Sequence, residues 1–339
     1  MSHPPSLLHI CNGHATSRPL EESGVPGTFK LFIDVLLEGP CPPLWGDAWR
    51  KLRMDVLTGP GGFRGPGAPE AGEDLWDDDI ALALSPAGGF DEIVLWYEHD
   101  LYDQLLLIRL LASIARHHGP RPALSLVCIG EHPEVPKFRG LGQLTPNQLA
   151  SLFQTRSALS DATIALGRDA WTAYTDPDPQ QLEALLGRDL SALPFLARAL
   201  RRHLEEYPGV EDGLSRSERT VLTLVGDGTT EIIRVWQQLV AGEDCHYMAD
   251  SWLLRLVDRL TAPPAALLAI DRQLRLPLAP GQATLSLTPL GEKVLRARVD
   301  WLEHAGINRW LGGVHLDDPQ TAWRWSPDQG IVAAPRHSG

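Results

Sequence analysis

The chain has 339 residues, of which 43% are hydrophobic and 22% charged, and its formal net charge is −13. That length has room for two domains or three small ones, and the composition is that of a globular protein. The acidic balance disfavours nonspecific attraction to nucleic acid or to anionic membranes over the whole surface. No apolar run approaches the roughly 20 residues needed to cross a bilayer.

The start, Met1-Ser2-His3-Pro4-Pro5, lacks the basic and apolar stretches of a signal peptide. Cys11, Cys41, Cys128 and Cys245 are far apart and form no CxxC pair. The expectation is a cytoplasmic, disulfide-free protein without thiolate-bound zinc.

Residues 1–143 read as a Rossmann-like α/β domain. Leu7 to Cys11 is a short strand ended by Asn12-Gly13-His14, and Ser17 is placed to cap a helix with Pro19 in its first turn. Phe29 to Ile33 is a second strand, followed by Asp34. Residues 58–72 are rich in Gly and Pro and read as an irregular surface loop. Ile93 to Trp96 is a third strand, Leu101 to His117 a helix, and Leu124 to Ile129 a fourth strand. Strands this continuously apolar, alternating with helices, imply a mainly parallel sheet covered on both faces.

Residues 144–212 change to a helical texture, with helices expected over 145–153, 161–174, 179–186 and 192–207. Residues 213–305 read as a winged-helix-like domain. Three helices (215–225, 230–240, 249–260) precede two β-like pieces, Leu274 to Leu278 and Thr284 to Leu287, and a closing helix runs from Pro289 to His304. Residues 306–339 form an aromatic-rich tail with Arg309-Trp310 and Trp323-Arg324-Trp325 around Gly312-Gly313. The tail suits either a flap over a ligand or aromatic surface packed on the last helix.

The densest chemistry lies where the third strand stops, at Glu98, His99, Asp100, Asp103 and Gln104. In open parallel sheets, ligands sit at the carboxyl ends of strands. Glu98, Asp100 and Asp34 each follow an apolar strand, and such carboxylates would suit Mg²⁺ or Mn²⁺. Glu98 would act as general base or metal ligand, with Asp103 and Gln104 beside it. The bland reading is that Asp100 caps the following helix and Asp103 favours its positive end.

Asn12-Gly13 forms either a phosphate cradle or a plain tight turn, with His14 able to move a proton near neutral pH. Arg139, in Lys137-Phe138-Arg139-Gly140-Leu141-Gly142, would clamp an anion or hold its own loop. No G-x-G-x-x-G, Walker lysine or G-x-S-x-G elbow is present.

Four strings occur together: Asp34-Val35-Leu36-Leu37-Glu38-Gly39-Pro40, Trp96-Tyr97-Glu98-His99-Asp100 with Asp103-Gln104, Phe138-Arg139-Gly140-Leu141-Gly142, and Arg309-Trp310-Leu311-Gly312-Gly313-Val314-His315-Leu316. On these the chain resembles the bacterial family catalogued as domain-of-unknown-function 1835, in its long form. In such proteins the first strand often ends Asn-Gly-Asp, and His14 stands here in place of the acid. The resemblance implies the domain layout and no activity.

The expected function is binding of a small anionic or nucleotide-like ligand in the α/β crevice, with divalent-metal-assisted hydrolysis or transfer. The alternatives are a ligand-responsive DNA-binding regulator and a protein adaptor. Charge weighs against nucleic acid, because residues 201–310 carry 13 basic and 15 acidic side chains and DNA-binding modules are clearly basic.

Overall fold

A computed structural model describes residues 5–59, 75–245 and 247–333. Thr58 and Gly59 end a helix, and the remainder of the expected 58–72 loop lies outside the described residues.

In the first unit, Met1–Ala199, five strands form one sheet: β1 (Leu7–Cys11), β2 (Thr28–Leu31), β3 (Glu92–Glu98), β4 (Ala123–Ile129) and β5 (Ser157–Ala158). Their order is β2-β1-β3-β4-β5, parallel except for β5, which pairs antiparallel to β4. The sheet with its flanking helices is the expected Rossmann-like α/β fold. Because β2 and β3 lie on opposite sides of β1, the connection reverses direction between β1 and β3. The carboxyl ends of those two strands therefore flank the crevice where such folds place ligands.

The helices of this unit are α1 (His14–Glu22), α2 (Gly46–Thr58), α3 (Asp77–Leu84), α4 (Leu101–Ile114), α5 (Pro146–Phe153), α6 (Asp161–Tyr174) and α7 (Gln180–Leu186). α4 is buried at almost every position and packs against α6, so it is apolar all round rather than amphipathic. α1 begins four residues earlier than a Ser17 cap would place it, directly after Gly13, and Ser17 lies inside it. β5 joins the sheet, and α5 and α6 pack on α1 and α4.

The chain divides within α8 (Leu196–Leu204). The second unit, Leu200–Gly339, contains α9 (Arg216–Gly226), α10 (Ile232–Ala241) and α11 (Asp250–Thr261), then the antiparallel pair β6 (Leu268–Ile270) and β7 (Leu285–Leu287), then α12 (Pro289–Leu295) and α13 (Leu302–Ala305). Ser215 caps α9 reciprocally with Glu218, as the Ser-x-x-Glu spacing directs.

Two expectations are corrected here. The strand facing β7 is Leu268–Ile270 and not Leu274–Leu278, where Pro277 has no N–H to give a ladder. The closing helix is two short pieces, with the backbone turned at Ala297 (φ 50°).

The tail folds as two hairpins, β8 (Arg309–Leu311) with β9 (Val314–Leu316) and β10 (Arg324–Ser326) with β11 (Gly330–Val332). Gly312, at φ 63°, supplies the left-handed turn between β8 and β9. Trp310 stacks on His315 across that hairpin at 4.3 Å, and Arg309 donates to the buried Glu206 carboxylate at 3.0 Å. No helix among the described residues is long and apolar enough to cross a membrane.

Candidate functional site

β3 ends at Glu98 and α4 begins at Leu101, so only two residues separate strand from helix. Such a short link forces the last strand side chain and the first helical turn together. Glu98, Asp100 and Asp103 are consequently buried side by side, with a ligand oxygen of each within 4.8 Å of the others. The sidedness of β3 decides what Glu98 meets. Trp96 and Glu98 share a face, and Trp96 packs with Cys11, Leu20 and Leu141.

Asn12, just past the end of β1, reaches into this group. Its Nδ2 donates to both oxygens of Asp103 at 2.9 Å and lies 3.5 Å from Glu98 Oε1. The Thr16 hydroxyl donates to Asn12 Oδ1 at 2.9 Å, which fixes the amide with its nitrogen toward the acids. The backbone N–H of Leu141 donates to Glu98 Oε1 at 2.5 Å, and that of Glu98 donates to Asp103 Oδ1 at 2.9 Å. Asp100 accepts from the Asp103 N–H at 2.8 Å, so it caps α4 and also belongs to the cluster.

The lid of this group is the segment after β4. A Cβ on Gly140 would collide with the Glu98 carboxylate, so glycine there lets the chain lie directly on the acid. Phe138 packs against the His99 ring from the same segment.

Among the described residues, no cation is among the neighbours that shift these three acids. Burial raises Glu98 well above the carboxylate range, with the charge of Asp103 adding to it and the Leu141 and Asn12 hydrogen bonds opposing it. Asp100 is raised well above its usual value by burial, then by Asp103 and Glu98. Asp103 is raised by burial to about 7, against the Asn12 amide and the Glu98 N–H, which hold it down. Three acids so placed must take up protons or share a cation. The donor set, carboxylate oxygens held by neutral amides, fits a hard divalent ion. The group could hold a metal ion.

The remaining expected residues divide clearly. Gln104 donates to the Glu98 carbonyl at 2.6 Å and lies 3.5 Å from Cys128 Sγ, so it braces the strand end rather than facing the cluster. Gly13 precedes α1, and its carbonyl accepts from the N–H groups of Thr16 and Ser17. His14 lines a separate groove beside β2. Arg139 is exposed, and its backbone N–H donates to Gln143 at 2.6 Å. His99 has the Phe138 ring centroid at 6.0 Å and the Phe195 centroid at 6.1 Å, and burial followed by the charge of Arg198 lowers its pKa.

Asp34 is the clear departure from expectation. It does not join Glu98 and Asp100 but is held by Arg53, whose Nε and Nη2 donate to it at 2.7–3.0 Å. The same guanidinium donates to the carbonyls of Val35, Glu38 and Pro40. A carboxylate with a fully engaged buried counter-charge has no remaining demand for a metal. Arg53 comes from α2, which has no counterpart in the sequence reading. Its buried residues Trp49, Arg53 and Leu57 recur every four positions, a helical stripe disguised by the arginine in it. Gly140, Leu141 and Thr16 were also missed, because two act through backbone and the third through an amide.

No protein-family model matches the chain, and no curated protein matches it either.

Proposed function

We propose that the first unit binds a divalent cation, Mg²⁺ or Mn²⁺, through Glu98, Asp100 and Asp103, and uses it in hydrolysis or group transfer on a small anionic ligand. The observation that carries this reading is the burial of three carboxyl groups within 4.8 Å of one another with no cation, among the described residues, in their perturbing surroundings. When bound, the ion would polarise a phosphoryl or carbonyl oxygen or acidify a water. The chain's own contribution is positional. Asn12, oriented by Thr16, bridges Asp103 and Glu98 through its amide nitrogen, the Leu141 N–H donates to Glu98, and Gly140 lets the backbone lie against the Glu98 carboxylate. Arg139, exposed one residue before Gly140, is the cation nearest in sequence for an incoming anion. The position at the β1/β3 reversal also favours a ligand site.

The test is an electron paramagnetic resonance titration, in which the signal of free Mn²⁺ falls as the ion binds. Wild type is expected to take up one ion per chain, and Glu98→Gln to lose that uptake. Equal uptake by both proteins would sink the assignment.

The second unit supports a winged-helix-like reading through the order of α9 to α12 and the bridge between Glu231 and Thr284. In the position of a reading helix, α11 carries Asp250 and Asp258, and its Arg259 is engaged by Glu218 at 2.7 Å. That pattern favours an interaction module over a nucleic-acid reader.

A further inference from the structure

Beside the edge strand β2 lies a groove of about 240 Å³ that shares no lining residue with the carboxyl cluster. One face of α1 forms one wall: His14, Ser17, Arg18 and Glu21 follow at the i, i+3, i+4, i+7 spacing that aligns side chains along a helix. Phe29, Lys30 and Leu31 of β2 form the other. The lining therefore carries Arg18 and Lys30 against a single acid, Glu21, in a chain whose net charge is −13. Among the described residues neither Arg18 nor Lys30 has a side-chain ion pair or hydrogen bond. Ser17, also in the lining, is only 4% exposed.

We infer that this groove is a binding site for the phosphate ester of a small polyol. A phosphoryl group offers three strong acceptor oxygens and nearly two negative charges. Arg18, Lys30 and Ser17 line this one groove and bring donors of two kinds to it, guanidinium and ammonium for charge and hydroxyl for direction. Glu21, one helical turn beyond Ser17 and Arg18, is an acceptor that a bare anion does not need. It suits a hydroxyl on the organic part. The volume lies below the roughly 300–1,000 Å³ of sites for drug-sized ligands, which fits a few-carbon ester and not a dinucleotide. Nothing in the inference requires a metal at Glu98.

The experiment is calorimetric titration of the intact chain with inorganic phosphate and, separately, with glycerol phosphate. Wild type is expected to bind both saturably, the ester more tightly. Arg18→Gln combined with Lys30→Gln, both on solvent-accessible side chains, should weaken both ligands at least tenfold while leaving the thermal midpoint in place. Glu21→Gln should remove the preference for the ester and keep phosphate. Glu98→Gln should bind both ligands as wild type does, so loss of Mn²⁺ uptake and loss of phosphate binding are separable. Absence of saturable binding, or equal binding by the Arg18/Lys30 double variant, would overturn the site. An inorganic-phosphate affinity equal to that of the ester would overturn the ester assignment.

Discussion

Asp34 and Glu98 occupy comparable places, one shortly after the end of β2 and the other the last residue of β3, each buried, yet their surroundings treat them in opposite ways. Asp34 receives two nitrogens of Arg53, whose other donors tie down the carbonyls of the 35–40 segment. Glu98 receives one backbone N–H and the edge of an amide, with two more acids at its side. A buried charge needs a partner. Where the chain supplies one, the acid is structural. Where it supplies only neutral donors, the deficit is available to a ligand.

The comparison breaks most visibly at Asp34. Asp34→Ala leaves the Arg53 guanidinium buried without its carboxylate, and such losses cost about 3–5 kcal/mol. Urea denaturation should report that loss, while Mn²⁺ affinity of the folded protein stays at the wild-type value. A parallel loss of Mn²⁺ binding would place Asp34 back in the site.

Gly140→Ala sharpens the other side. The new Cβ would fall on the Glu98 carboxylate, and overpacking of this kind costs about 1–3 kcal/mol. Mn²⁺ binding should weaken at least tenfold, since Glu98 must move. A substitution without effect on either quantity would mean that the 138–141 segment does not lie on the acid in solution.

Glu98→Gln should run against the usual direction of core mutations. It removes one of three crowded acids while keeping an acceptor for the Leu141 N–H, so the metal-free variant should be more stable than wild type at pH 8. A gain of about 0.5–2 kcal/mol is the scale of such relief, read by thermal or urea unfolding. A loss of stability there would indicate that Glu98 is compensated after all.

The smallest effect is on pH dependence. Asp103 has a folded pKa of about 7, raised from 3.8, so the folded chain holds a proton that the unfolded chain has released. Its contribution to stability is complete below the unfolded value and is lost as pH rises through the folded one. Glu98 and Asp100 shift in the same direction. The buried histidines act oppositely, since His9, His99 and His203 are lowered from 6.5, and their contributions are complete above that value. Between pH 6.5 and 8 the carboxyl cluster should therefore dominate, and the thermal midpoint of metal-free protein should fall. Saturating Mn²⁺ should flatten that slope. A midpoint rising across this window in metal-free protein would contradict the protonated cluster.

Much of this was legible in the sequence because local pattern and tertiary role agreed. The apolar runs ending at Cys11, Trp96 and Ile129 are strands, and the polar break after the third is where Glu98, Asp100 and Asp103 gather. The Asp100 cap was legible from its place before an apolar helix, and it proved compatible with membership in the cluster. What stayed hidden depended on partners from elsewhere in the chain. Arg53 reaches Asp34 across 19 positions, and Leu141 reaches Glu98 across 43. The choice between metal ligand and structural ion pair lies in those contacts, which strand-end placement does not encode. The first strand of the β6/β7 pair lies earlier than expected for a simpler reason. Leu274 to Leu278 has a strand's apolar texture, but Pro277 cannot serve a ladder.

The most direct test of the central claim is an anomalous difference map from crystals soaked in Mn²⁺. The account predicts a peak among the carboxylate oxygens of Glu98, Asp100 and Asp103, absent in Glu98→Gln and unrelated to Asp34. A Mn²⁺ peak elsewhere with this cluster vacant, in crystals of a folded and accessible chain, would contradict it.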